Sequence, residues 1–120
     1  MGEFPFHTDL AHWYIPPRYF LLRCIVPSNK VTTNFVSASK VFSMEDEVNL
    51  KRSLFRPRRR LDGRLSILRL KQDDLYRWDT LFIKPMTNAA SELQSRIQRR
   101  IEESPHLEAR LENPGDCFLI

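Results

Sequence analysis

The residues most able to do chemistry stand near the start of the chain, in Pro5-Phe6-His7-Thr8-Asp9. A histidine and a carboxylate two residues apart on an extended segment project to the same side, because the strand period is two. One imidazole nitrogen and one carboxylate oxygen on a common edge suit a divalent first-row metal. A second histidine from elsewhere would complete the facial triad of non-haem Fe(II) oxygenases, which leaves three adjacent coordination positions open. Taken alone, the triplet is short and recurs in surface loops, where the Asp merely caps a turn. His12 is five residues past His7. On an extended segment that odd offset turns it away from the His7/Asp9 side. It is a candidate for a substrate pocket or for supporting a ligand, against plain packing beside Trp13.

These groups need elements to hold them. Pro16-Pro17 imposes an extended lead into Arg18–Val26, whose aromatic and aliphatic residues predict a mostly buried strand. Pro27-Ser28-Asn29-Lys30 is a turn, and the β-branched and aromatic run Val31–Ser37 a second strand. Ser43 is placed to cap a helix over Met44–Phe55, with Glu45, Asp46 and Glu47 suiting its first turn. Asp62-Gly63 is a hairpin signal before a strand over Leu65–Leu70. The segment Asp73–Ile83 fits neither period, and Arg77 and Asp79 within it are assigned structural roles. Asn88 opens a helix to about Glu103, with Leu93, Ile97 and Ile101 on one face and Pro105 stopping it. His106–Leu111 and Cys117–Ile120 are expected to be short strands around the turn Asn113–Asp116.

The 120 residues suffice for one domain, and 42% hydrophobic with 28% charged residues is a globular composition. The net charge of +4 permits an anionic partner without requiring one. The cluster Arg56, Arg58, Arg59, Arg60 and Arg64 has only Phe55 beside it for stacking. A solvated basic hairpin is therefore favoured over nucleic-acid binding. No apolar run approaches the ~20 residues of a membrane span. No secretion signal is evident, so a cytoplasmic location with Cys24 and Cys117 as buried thiols is expected. Cys117-Phe118-Leu119-Ile120 has the outline of a prenylation site but reads better as a strand. His106 reads as a polar residue at a helix exit.

Pro5-Phe6-His7-Thr8-Asp9-Leu10-Ala11-His12, then Pro16-Pro17-Arg18-Tyr19 and Leu21-Leu22-Arg23-Cys24, resemble the taurine catabolism dioxygenase (TauD/TfdA-like) family. Tyr76-Arg77-Trp78-Asp79, followed by Pro85 and a helix, and the Pro114–Ile120 end resemble further stretches of some members. The resemblance implies a mainly β (α+β) chain, a partial double-stranded β-helix or jelly roll with flanking helices, spanning 1–120 as a single partial domain. It implies His7 and Asp9 as Fe(II) ligands near the barrel mouth, and Thr33 as a contact to the co-substrate 2-oxoglutarate. Lys30-Val31 stands where the family has Gly-Gly, which leaves Thr32 as a substitute for Thr33. O2 and a small organic substrate would be the other reactants. The family's distal histidine, and the arginine that pairs with 2-oxoglutarate, come after the point matched by Ile120. An internal fragment of a larger enzyme is therefore expected. Two rival readings stand beside it: a catalytically inactive remnant, and a basic binding module without catalysis. The substrate and the oligomeric state are not legible.

Overall fold

The strongest periodicity in the sequence forms the longest element. In a computed structural model, which describes residues 5–19, 21–26, 33–59 and 66–119, a helix runs over Asn88–Glu103. Thr87 caps it, its hydroxyl accepting from the Ala90 amide at 3.1 Å. Ala90, Leu93, Ile97 and Ile101 line its buried side. Among the described residues the elements follow in the order β1 (Leu21–Arg23), β2 (Thr33–Phe35), α1 (Ala38–Phe42), α2 (Glu47–Arg52), β3 (Phe55–Pro57), β4 (Lys71–Gln72), β5 (Leu75–Tyr76), β6 (Ile83–Pro85), α3 (Asn88–Glu103), β7 (Leu107–Ala109) and β8 (Cys117–Leu119). Among the described residues helix and strand are balanced, a mixed α+β arrangement.

The pairing is antiparallel and nested. β1 pairs with β8, β2 with β7, β3 with β6 and β4 with β5. These are four separate two-stranded sheets, and among the described residues none closes into a barrel. The core lies between α3 and the middle of the chain, where Phe42, Leu50, Phe55, Leu68 and Ile83 meet the helix stripe. Phe42 stacks on Tyr76 with ring centroids 4.9 Å apart and packs edge-on against Trp78. Glu45, whose side chain is buried, joins the α1–α2 connection to Arg96 and Arg100 of α3.

The β3–β6 ladder shows how proline is tolerated within a sheet. Phe55 exchanges both backbone hydrogen bonds with Leu68, at 2.9 and 2.8 Å. Its pairing with Pro85 therefore falls at a position that needs no N–H from β6. Met86 donates to Leu54 and Arg58 to Phe82, so the ladder bonds skip Pro57 as well.

Several expectations are corrected. The helix expected over Met44–Phe55 begins instead at Glu47, capped by Asp46, which accepts from the Val48 amide at 2.9 Å. Ser43 closes α1 rather than opening α2, and Phe55 is drawn into β3 by Leu68 and Pro85. The strand expected over Arg18–Val26 shortens to β1, because only Leu21–Arg23 finds a partner, in β8. Residues 31 and 32 lie outside the described set, as do Asp62-Gly63 and Leu65. Of the described residues 66–70 only Leu68 is strand-like, at its bridge to Phe55. The ambiguous stretch after Asp73 resolves into a tight hairpin, β4–β5, and then irregular backbone up to β6. Cys24 is buried, but Cys117, opposite Arg23 on a two-stranded ribbon with an uncovered face, is exposed. Among the described residues no helix is long and apolar enough to cross a membrane.

Candidate metal centre

His7 and Asp9 meet as the sequence predicts. His7 Nε2 lies 3.4 Å from Asp9 Oδ1, and each side chain is about one-third exposed. The other ring nitrogen, Nδ1, is 2.8 Å from the Pro5 carbonyl oxygen. A carbonyl only accepts, so Nδ1 carries the hydrogen of the neutral ring. That leaves the Nε2 lone pair facing a carboxylate oxygen. A metal ion placed between the two would be held by both donors. Two donors at about 2.1 Å from one metal in adjacent octahedral positions are about 3 Å apart. The pair is within a few tenths of an ångström of that spacing.

The triplet is held from both sides. Thr8 is bound to the backbone of Trp78 three times. Its amide donates to the Trp78 carbonyl at 2.7 Å, and its hydroxyl accepts from the Trp78 amide at 3.0 Å and donates back to the carbonyl at 3.3 Å. With Thr8 turned to Trp78, its neighbours His7 and Asp9 share the other side. Immediately after Asp9 the chain turns, with Leu10 at φ +52°, a left-handed conformation that costs a bulky residue about 1–2 kcal/mol. Arg77 pins that turn. Its guanidinium is 2% exposed and donates to the carbonyls of Ala11 and Trp13 at 2.5 Å each and of Tyr14 at 3.2 Å. Burial pushes the Arg77 pKa below its ordinary value. Arginine nonetheless stays charged; the three carbonyls and Gln72 Oε1, at 3.3 Å, accept from its terminal nitrogens, while its buried Nε has no partner among the described residues.

Arg77 and Asp79 are structural, as expected, but they do not pair with each other. Asp79, 3% exposed, accepts from the amides of Leu81 and Phe82 at 2.6 and 2.8 Å and so fixes the turn into β6. Nothing in the sequence indicates that Arg77 reaches back more than sixty residues, because its partners are backbone carbonyls of any residue type.

The remaining candidates are dispersed. His12 sits within the turn, not on an extended segment, so the alternating-face argument does not apply to it. Its ring lies against Phe82 at 5.4 Å, and its buried Nδ1 has no protein partner among the described residues. Thr33 is exposed on β2 opposite Ala109, and no described contact joins it to His7 or Asp9. His106 packs edge-on against Phe6 at 4.7 Å, beside the triplet, but its Nε2 is taken by the Ile101 carbonyl at 3.0 Å. That is the helix-exit role expected of it. Among the described residues no third His, Cys, Asp or Glu joins the pair in a metal-binding group. The chain matches no protein-family model and no curated protein.

Proposed function

We propose that this chain is part of an Fe(II)/2-oxoglutarate-dependent dioxygenase built on a partial double-stranded β-helix, with His7 and Asp9 as two of the three metal ligands. The observation that carries the reading is the tautomer lock. Pro5 holds the hydrogen on Nδ1, and Nε2 is presented to Asp9 Oδ1 at a spacing a single metal ion can bridge.

The topology supports it independently. A jelly roll is a long antiparallel ribbon rolled up, so its first strand pairs with its last and the pairing is nested inward. The pairing of β1 with β8 through to β4 with β5 has that order. Within it, β8 runs antiparallel to β1, toward the end of β1 that the triplet leads into. A third ligand on a continuation of β8 would lie beside the segment that leads from the triplet into β1.

When bound, iron together with 2-oxoglutarate and O2 supplies the oxidation of an unactivated C–H bond. The chain's own contribution is positional. His7 would offer Nε2 and Asp9 a carboxylate oxygen, and Thr8, Trp78 and Arg77 hold the segment that carries them. Since no described contact brings Thr33 to the pair, no role in holding 2-oxoglutarate is derived for it. Protons compete for both donors, so metal binding weakens in acid.

The test is an anaerobic titration with Fe(II) and 2-oxoglutarate, read as the metal-to-ligand charge-transfer band. The band is expected in a folded chain that carries a histidine on the continuation of β8, and is lost in His7→Ala. Its absence from that folded chain overturns the reading.

A further inference from the structure

The outward face of the β3–β6 layer collects positive side chains that take part in no described ion pair, with the Arg58 guanidinium donating to the Thr80 carbonyl at 3.2 Å. Arg56 and Lys84 are directly opposite each other in the ladder. They occupy a hydrogen-bonded pair position, with Cα atoms about 5.5 Å apart. Phe55, Pro57 and Ile83 are buried on the inner side, so Arg56 and Lys84 point outward. Arg58 continues the same face two residues on, paired through its amide to Phe82. On the other flank the Phe55–Leu68 bridge buries Leu68 and turns its neighbours Ile67 and Arg69 outward. Among the described residues none of Arg56, Arg58, Arg69 and Lys84 takes part in an ion pair. The described acids that form ion pairs do so elsewhere: Asp9 with His7, Glu45 with Arg96 and Arg100, Glu47 with Lys51 and Lys71, Glu108 with Arg110.

Like charges directly opposite on a ladder destabilise it. A sheet that keeps two there, flanked by two more, is suited to an anion. The apolar groups between them narrow the choice. Phe82 is 50% exposed with its ring braced by His12, and Ile67 and Met86 are 43% and 39% exposed. A half-exposed ring among four cations on a flat strand face is the combination that binds the backbone and bases of a single strand. Phe55, the aromatic next to the arginine run in sequence, is fully buried and cannot stack. Phe82 supplies the ring from the neighbouring strand.

We infer that this face binds single-stranded nucleic acid, with Arg56, Arg58, Arg69 and Lys84 on the phosphates and Phe82 beneath a base. The inference is independent of the iron site.

The probe is a fluorescein-labelled single-stranded oligothymidine 12-mer, titrated by anisotropy with the full chain at several salt concentrations. Binding is expected at low salt, with log affinity falling against log salt at a slope of about −2 to −3 for three to four phosphate contacts. Lys84→Glu and Arg56→Glu each weaken it roughly tenfold. Phe82→Leu weakens it roughly fivefold with the slope unchanged. Lys84→Gln provides a control against unfolding. It relieves the like-charge pair, so it raises Tm while lowering affinity, a split that a merely structural role would not produce. Arg99→Glu on α3 leaves binding unchanged. The inference is overturned if the oligonucleotide does not bind at low salt, or if Arg99→Glu weakens it as much as Lys84→Glu. It is also overturned if the chain binds vesicles of anionic phosphatidylserine in phosphatidylcholine but not the oligonucleotide.

Discussion

The middle of the molecule and its two outer ribbons use the same aliphatic residues in different surroundings. Ile97 and Phe55 are fully buried between α3 and β3, whereas Leu21 and Leu119, opposite each other on β1 and β8, are 61% and 69% exposed. A two-stranded sheet is marginal on its own, and the face of the β1–β8 ribbon that carries Leu21 and Leu119 is exposed. The middle therefore sets stability, and the ribbons set direction, bringing the two ends of the described chain together. Arg77 and Trp78 tie the segment that carries His7 and Asp9 to this packed middle.

The difference can be broken at four points of decreasing effect. Phe55→Ala removes a ring from the densest part of the core and is expected to cost about 3–5 kcal/mol, measured by urea denaturation. A loss below 1 kcal/mol would mean that the core is not there. Arg77→Leu leaves three carbonyls without their donor and is expected to cost about 2–4 kcal/mol. It should also release the turn at Leu10, seen as faster hydrogen exchange at the Thr8 and Trp13 amides; unchanged exchange there would separate the arginine from the triplet. Leu119→Lys, on the ribbon, is expected to change stability by less than about 0.5 kcal/mol. A large loss would show that the ribbon face is covered after all.

The smallest effect is electrostatic. Hydrogen bonds and charge from Lys71 and Lys51 hold the Glu47 carboxyl below its ordinary pKa, and Glu47 in turn raises that of Lys71. The Glu47 contribution is thus present above the ordinary glutamate value and fades as the pH falls through the lowered one. The Lys71 contribution is present below the ordinary lysine value and fades as the pH rises through the raised one. Both groups are on the surface, so Glu47→Gln should flatten only a shallow acid limb of a Tm-against-pH curve. A steep limb that survives Glu47→Gln would place the acid sensitivity elsewhere.

What could be read from the sequence follows how local each interaction is. α3 was legible because its buried stripe repeats within one element and Pro105 ends it. The His7–Asp9 contact was legible because two residues of separation fix it, even though the segment is a held loop and not a strand. The start of α2 was misplaced because Ser43 and Asp46 are both good caps, and the choice between them depends on where Phe55 goes. That residue is claimed by Leu68 and Pro85, partners distant in sequence. β4 and β5 are two residues each and exist only as each other's partners, so no window of sequence reveals them. The turn that carries His12, and the clamp at Arg77, were hidden for the same reason. The cationic face escaped notice because Lys84, Arg69 and Phe82 join the arginine run only through the ladder.

The central claim is that His7 and Asp9 form a prepared pair of metal ligands. The direct measurement is a titration with paramagnetic Mn(II) followed by amide resonances of the chain at neutral pH. The amides of His7, Thr8, Asp9 and the adjoining Trp78 should broaden first, and His7→Ala should abolish that selectivity. Broadening that begins elsewhere, for instance around Glu47 or Glu108, or that is unchanged in His7→Ala, would contradict the claim.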